Sequence, residues 1–318
     1  MMGKPVSPSL TRESIQETYR LILGRLPSDK EVEGWLARAA NTTQEALRRQ
    51  FLLSNEFLQG LEKIRPINWT PAKGQVAIFI HIPKTAGSSL RAMLTTAYSS
   101  EKILECNDVD MSQLLEMPLE RREELGAVIG HLTPGIGRHF IKRVVYLTTL
   151  RSPVERIYSF YRFIRRHSDH PVYEYVRGTN FGRFLEVSLG HNDLRAAVDN
   201  GQVRWLAGDM TTAAFGATPT LFRKAIHTLF APNMIFGISE EFEEFIDLLV
   251  QEGIIPSMKE VRENASPGTE ASLQETLAEM TTDQRTLLDA FTGWDNLLYE
   301  TARAHVIGSK IARGQASS

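Results

Sequence analysis

VAIFIHIPKTAGSSLRAML, Val76–Leu94, decides how the rest of the chain is read. Val76–Ile82 is an almost unbroken apolar run and predicts a buried β-strand. Leu90, Met93, Leu94, Ala97 and Tyr98 then recur at helical spacing. Between strand and helix lies a tight turn carrying Lys84, Gly87 and the hydroxyl residues Thr85, Ser88 and Ser89. A strand feeding such a turn presents unsatisfied backbone N–H groups at a helix N-terminus, where anions bind. Lys84 adds a full positive charge, and Thr85, Ser88 and Ser89 add hydroxyl donors. The loop that holds nucleoside triphosphates has lysine after its last glycine, G-x-x-x-x-G-K-[ST]. Here lysine comes first and the loop is shorter. No apolar strand ends in an aspartate suited to holding Mg²⁺. The turn therefore reads as a phosphate-type cradle that is not built for a triphosphate.

A second stretch repeats the design. VVYLTTLRSPVERIYSFYRFIRR, Val144–Arg166, again runs a strand into a helix. Ser152, Pro153 and Glu155 read as a capping box with proline at the first helical position. Val154, Ile157, Tyr158, Tyr161 and Ile164 form the apolar stripe. Arg151 sits at the strand's carboxyl end and Ser159 about two helical turns further on. A guanidinium and a hydroxyl so placed can converge on one phosphate, at the sheet edge where parallel α/β folds bind ligands. Alone, Arg151 would read as a salt-bridge partner; beside the first turn it reads as a second anion site.

The strand–helix alternation continues in AVIGHL (127–132) and in MIFGI (234–238), which leads into the helical EEFEEFIDLLVQEG. Continuous apolar strands alternating with helices imply an α/β fold with a central parallel sheet flanked by helices on both faces. The first residues follow a different pattern. Ile15, Tyr19, Ile22 and Leu26 recur at helical spacing. Ser28 with Glu31, and Thr42 with Glu45, read as capping boxes ahead of two further helices. The expected organisation is a small helical domain over 1–62, a linker over 63–74, an α/β domain over 75–310 and a disordered tail over 311–318. The last long helix is expected from about Thr282 to Gly308.

Composition sets the remaining bounds. With 318 residues, 42% of them hydrophobic, the chain can bury a large core. A formal net charge of −2 offers no general attraction for nucleic acid or an anionic membrane, so anion binding must be local. One cysteine, Cys106, excludes a disulfide within the chain and suits a reducing compartment. The opening MMGKPVSPSLTRESIQ lacks the apolar core of a signal peptide, and no apolar run reaches the ~18 residues of a membrane span. The expectation is a soluble, cytoplasmic protein; its oligomeric state is not legible.

Taken together, HIPKTAGSSL and LRSPVERIYSFY resemble the two cofactor motifs of the PAPS-dependent sulfotransferases, PAPS being 3′-phosphoadenosine 5′-phosphosulfate. The similarity is to the carbohydrate branch, related to the heparan and dermatan sulfate 2-O-sulfotransferases and their bacterial relatives, and covers roughly residues 75–305. IGHL (129–132), DNGQVRWLAGD (199–209), FGISEEFEEFIDLL (236–249) and DNLLYETA (295–302) are weaker matches. The N-terminal segment, with Tyr19, Gly24, Arg25, Trp35 and SNEF, resembles a small helical module attached to bacterial glycan-modifying enzymes and surface proteins.

The resemblance implies a P-loop-NTPase-like three-layer fold and a function. Lys84, Thr85, Ala86, Gly87, Ser88 and Ser89 would wrap the 5′-phosphosulfate, with Lys84 at the leaving oxygen, and Arg151 and Ser159 would hold the 3′-phosphate. The position after Gly87 is often threonine in the family and is Ser88 here, which keeps a hydroxyl. The family places its catalytic histidine in a comparable GH segment, so His131 is the expected general base for an acceptor hydroxyl, a carbohydrate by resemblance; no metal is implied. His81, within the strand pattern, reads as structural. Asn200 and Arg204, four apart, read either as site neighbours or as a surface helix face. RFIRRH (162–167) reads either as an acceptor contact or as a solvated face, and VRENASPG (261–268) as a loop over the nucleotide. Two other functions stay open: a nucleotide-dependent kinase and a non-catalytic glycan-binding relative.

Overall fold

The computed structural model describes residues 10–23, 25–39, 42–52, 54, 56, 74–107, 111–210, 216–256 and 272–316. The loop at 261–268 and almost all of the segment 63–74 lie outside them. The chain forms two compact units, one of residues 1–67 with 300–318, the other of residues 68–299. Among the described residues no helix is long and apolar enough to cross a membrane.

The first unit is helical. α1 (Arg12–Thr18) is capped by Thr11, whose hydroxyl accepts from the Ser14 N–H, and continues as a π-helical turn over Tyr19–Leu23. α2 (Asp29–Leu36) carries both halves of the Ser28–Glu31 capping box. α3 (Gln44–Leu52) is capped by Thr43 rather than Thr42: the Thr43 hydroxyl stands three residues before the Ala46 N–H and accepts from it at 3.1 Å. Ile15, Tyr19, Val32, Leu47 and Phe51 form its core. The Trp35 indole N–H, which would be unsatisfied against that core, donates to the Tyr19 hydroxyl.

The second unit is built on five parallel strands in the order β2-β3-β1-β4-β5. They are β1 (Val76–Ile80), β2 (Ile103–Glu105), β3 (Ala127–Gly130), β4 (Val144–Leu150) and β5 (Met234–Ile238). β1 is central: Ile80 pairs with Gly130 of β3 and Phe79 with Leu147 of β4. Side chains alternate across the sheet. Ala77, Phe79, Ile129 and Leu147 pack on one face with α4 (Gly87–Ala97), while Val76, Ile78 and Val128 pack on the other. Both faces are covered, which is why β1 and β5 read as unbroken apolar runs. β2 has no counterpart in the sequence reading, because three residues of mixed burial show no period.

Further helices complete the unit. α5 (Pro153–Arg166) buries Ile157, Tyr161 and Ile164 against α6 (Phe181–Leu189). α7 (Gly201–Ala207), α8 (Pro219–Leu229) and α9 (Phe242–Gln251) follow, α9 packing on the same sheet face as α4. α10 starts at Thr282 as expected but runs on to Ala316, through most of the segment expected to be a disordered tail; its residues up to Tyr299 belong to this unit and those from Glu300 to the first. α7 is not a surface helix: Gln202 and Arg204 are fully buried.

A buried polar network ties α5, α7 and α10 together. Asp295 accepts from the N–H groups of Gln202 and Val203, capping α7, and lies 3.6 Å from the Arg156 guanidinium of α5. Asn200 is in the left-handed conformation and accepts from the N–H groups of Trp294 and Asp295. Arg204 pairs with Asp199 at 3.0 Å. Burial pushes the Asp295 carboxyl up against the pull of Arg156, and it pushes the Arg156 guanidinium down. A buried pair of this kind resists the loss of either partner. Asp295→Leu is expected to lower the unfolding free energy by about 3–5 kcal/mol, read by urea denaturation; a change within the error of the extrapolation would show that the pair is not needed.

Candidate functional site

The turn after β1 carries two left-handed residues that are not glycine, Lys84 (φ 70°) and Ala86 (φ 66°). Each costs about 1–3 kcal/mol, and such residues persist only where their surroundings over-determine them. Two threonine hydroxyls do so here. Thr149 of β4 donates to the Thr85 carbonyl at 2.6 Å. Thr85 donates to the Ile82 carbonyl at 2.8 Å, and the two hydroxyl oxygens are 3.1 Å apart. Thr85 is therefore fully buried with its proton committed inward, which corrects the expectation that its hydroxyl faces a ligand. What remains is a turn with left-handed residues beside the cleft, the backbone conformation from which anion nests are built. It leads into α4, whose first N–H groups have no intrahelical acceptor.

Gly87 is required at the start of α4. A Cβ there would stand 1.9 Å from the His81 ring, which packs over the helix N-terminus. His81 lies just beyond the last residue of β1, so it borders the cleft instead of sitting within the strand as expected. Burial, and then the charges of His131, Lys84 and Arg91, push its imidazole down to about 3.

His131 follows β3 at the same sheet edge. Its Nδ1 is 2.7 Å from the His81 carbonyl oxygen. A carbonyl can only accept, so Nδ1 carries the proton and donates, leaving Nε2 as the basic nitrogen of the neutral ring. The ring is exposed, stacks on His81 at 4.6 Å between centroids, and has Trp205 at 5.8 Å. Gly130 allows this placement, because a Cβ there would lie 1.6 Å from the Cys106 carbonyl oxygen.

Arg151 leaves the end of β4 toward the same turn. Its Nη1 donates to the Lys84 carbonyl at 3.4 Å, and its Nη2 lies 3.5 Å from Glu155. The expected Ser152–Glu155 capping box does not form. Ser152 makes no side-chain cap bond, Glu155 turns to Arg151, and the Ser152 N–H donates to Glu240 beyond β5. The Arg151 N–H and carbonyl are both taken by the Gln202 carboxamide, each at 2.9 Å.

These groups line one cleft of about 1100 Å³. Lys84, Ala86, Gly87, Ser88, Ser89, His131, Arg151 and Ser159 all border it, so the two sequence motifs and the GH histidine converge at the carboxyl edge of the sheet. The basic cluster divides: Arg162 and Arg166 border the cleft, whereas Arg165 donates to the Tyr161 hydroxyl. Lys84 Nζ stands 4.2 Å over the Phe163 ring, a cation–π contact. Burial, reinforced by Arg151 and Arg166, pushes the Lys84 ammonium down. The sequence reading singled out none of Thr149, Gln202, Glu240 and Phe163 by itself, though RFIRRH holds Phe163 and DNGQVRWLAGD holds Gln202. Paired threonines in an apolar strand were a usable signal for Thr149, but the others carry none without the topology.

The His81 shift has a measurable consequence. Between about pH 6.5 and 3 the unfolded chain holds a proton on this ring that the folded protein does not, so its contribution to stability falls on acidification. In an NMR titration the His81 ring should stay neutral down to pH 4.5, with a midpoint near 3; titration near 6.5 would contradict the packing described.

No protein-family model matches the chain, and no curated protein matches it. Among solved structures it is similar to mouse sulfotransferase SULT7A1 complexed with PAP, with 15% sequence identity over 84% of this chain and 95% of that chain and a TM-score of 0.41.

Proposed function

We propose that this chain is a sulfotransferase that moves a sulfuryl group from PAPS to a hydroxyl of an acceptor, a carbohydrate. The observation that supports it most is the meeting of two anion sites in one cleft: the strained, lysine-bearing turn after β1 and Arg151 after β4, joined by the 3.4 Å bond from Arg151 to the Lys84 carbonyl. One site suits a 5′-phosphosulfate and the other a separate phosphate, the pair of charges that distinguishes PAPS from ADP. A cleft of about 1100 Å³ has room for a nucleotide and an acceptor together. Aromatic faces of Phe160 and Phe163 on its wall suit a sugar ring.

When bound, PAPS supplies an activated sulfuryl group on a phosphate leaving group. The chain's own residues do the rest. The N–H groups of the turn and of α4 hold the 5′ end and offset charge developing on the leaving oxygen, as does Lys84. Arg151 and Ser159 hold the 3′-phosphate by charge-assisted bonds. His131 Nε2 takes the proton of the acceptor hydroxyl as the sulfur–oxygen bond to that oxygen forms and the bond to the 5′-phosphate breaks. The products are PAP and a sulfate ester. His81 holds His131 in the tautomer this requires.

Calorimetry with PAP, ADP and ATP tests the reading. PAP is expected to bind clearly more tightly than ADP; equal binding, or Mg²⁺-dependent preference for ATP, would sink it in favour of a kinase. Arg151→Ala should weaken PAP by about 1.5–3 kcal/mol, roughly 10- to 150-fold. His131→Ala should slow transfer to a glycan acceptor by roughly 10²- to 10⁴-fold while PAP affinity stays near wild type. Transfer that survives this change places the base elsewhere.

A further inference from the structure

Arg151 stands one residue beyond the last β4–β5 pair, Leu150 with Ile238. A residue at that point ordinarily turns with its backbone groups facing solvent. Here both are satisfied by one side chain: Gln202 Oε1 accepts from the Arg151 N–H and Gln202 Nε2 donates to the Arg151 carbonyl, each at 2.9 Å. The carboxamide thus adds a rung to the sheet where no strand remains. Gln202 is itself fully buried and cannot drift. Its N–H and that of Val203 are bonded to the two oxygens of Asp295, and Asp295 faces Arg156 on α5. The helix that carries Ser159 and the strand end that carries Arg151 are therefore held by one buried network.

We propose that Gln202 is a positioning residue for the second anion site, fixing the backbone of Arg151 and with it the origin and direction of the guanidinium. The inference rests on the reading of that site as one for a 3′-phosphate. It touches no ligand: Gln202 acts through Arg151. The guanidinium reaches the Lys84 carbonyl with Nη1 and Glu155 with Nη2 at once, and a strand end free to turn would let it leave both for solvent. The clamp leaves it one station at the mouth of the turn.

The test uses the full chain and two ligands, PAP and adenosine 5′-phosphate, which differ by the 3′-phosphate. Gln202→Met keeps size and removes both bonds. It is expected to lower PAP affinity roughly tenfold or more and to leave adenosine 5′-phosphate affinity unchanged, so that the ratio between them collapses. A merely structural role would weaken both ligands or the folded fraction alike, and the ratio would survive. If Gln202→Met does not fold, Gln202→Glu, which retains the acceptor and loses the donor, is read in the same way. In the wild-type protein, the Gln202 side-chain amide resonances should shift on adding PAP and stay in place on adding adenosine 5′-phosphate. An unchanged ratio in the variant, or no resonance shift with PAP, overturns the proposal while the PAPS reading stands. A wild-type protein that binds both ligands equally overturns the PAPS reading and this proposal with it.

Discussion

The hydroxyl lock between Thr85 and Thr149 is the interaction on which the site depends. It links the turn after the central strand to the neighbouring strand by the bond from the Thr149 hydroxyl to the Thr85 carbonyl, while the Thr85 hydroxyl closes the turn on itself through the Ile82 carbonyl. Without it, left-handed Lys84 and Ala86 would relax, because nothing local favours that conformation in a residue with a Cβ. The lock costs the turn one hydroxyl donor and returns a fixed array of backbone donors. For anion binding the exchange is favourable: preorganised N–H groups need no reordering when charge arrives. Strand order does the rest, since β1 lies between β3 and β4 and the residues that follow all three strands must meet.

Much of the fold was legible because burial on both faces leaves a simple mark. β1 and β5 are continuous apolar runs, β4 is one but for its paired threonines, and α5 declares itself through its stripe and its opening proline. What escaped the sequence had no period to read. β2 is three residues long. Thr42 and Thr43 are chemically equivalent caps, and only the position of the helix chooses between them. The Ser152 box failed for a different reason: Glu155 satisfies every local rule, but a nearby guanidinium outcompetes the backbone for it.

The candidate site was legible as residue types and illegible as supports. Lys84, Gly87, His131 and Arg151 announce their chemistry by identity and by position at strand ends. Gln202 and Glu240 announce nothing, since a glutamine in a helix and a glutamate after a strand have many uses. They matter because the chain brings them to the backbone of Arg151 and Ser152 from far along the sequence. The place of His81 within the strand was misread for a related reason. The apolar run continues through Ile82, but the strand stops at Ile80, and those two residues separate a core histidine from one that borders the cleft.

The resting place of Lys84 bears on how fast the cleft can be filled. Its ammonium lies on the face of Phe163, 4.2 Å from the ring centre. Had a carboxylate held it, an arriving anion would first have to break an ion pair and then endure the displaced acid nearby. An aromatic face holds a cation by about 0.5–2 kcal/mol and carries no net charge to leave behind. The lysine is thus kept ordered in advance without being neutralised. Release needs only a small swing of a flexible stem, and the vacated ring becomes apolar surface for whatever enters alongside.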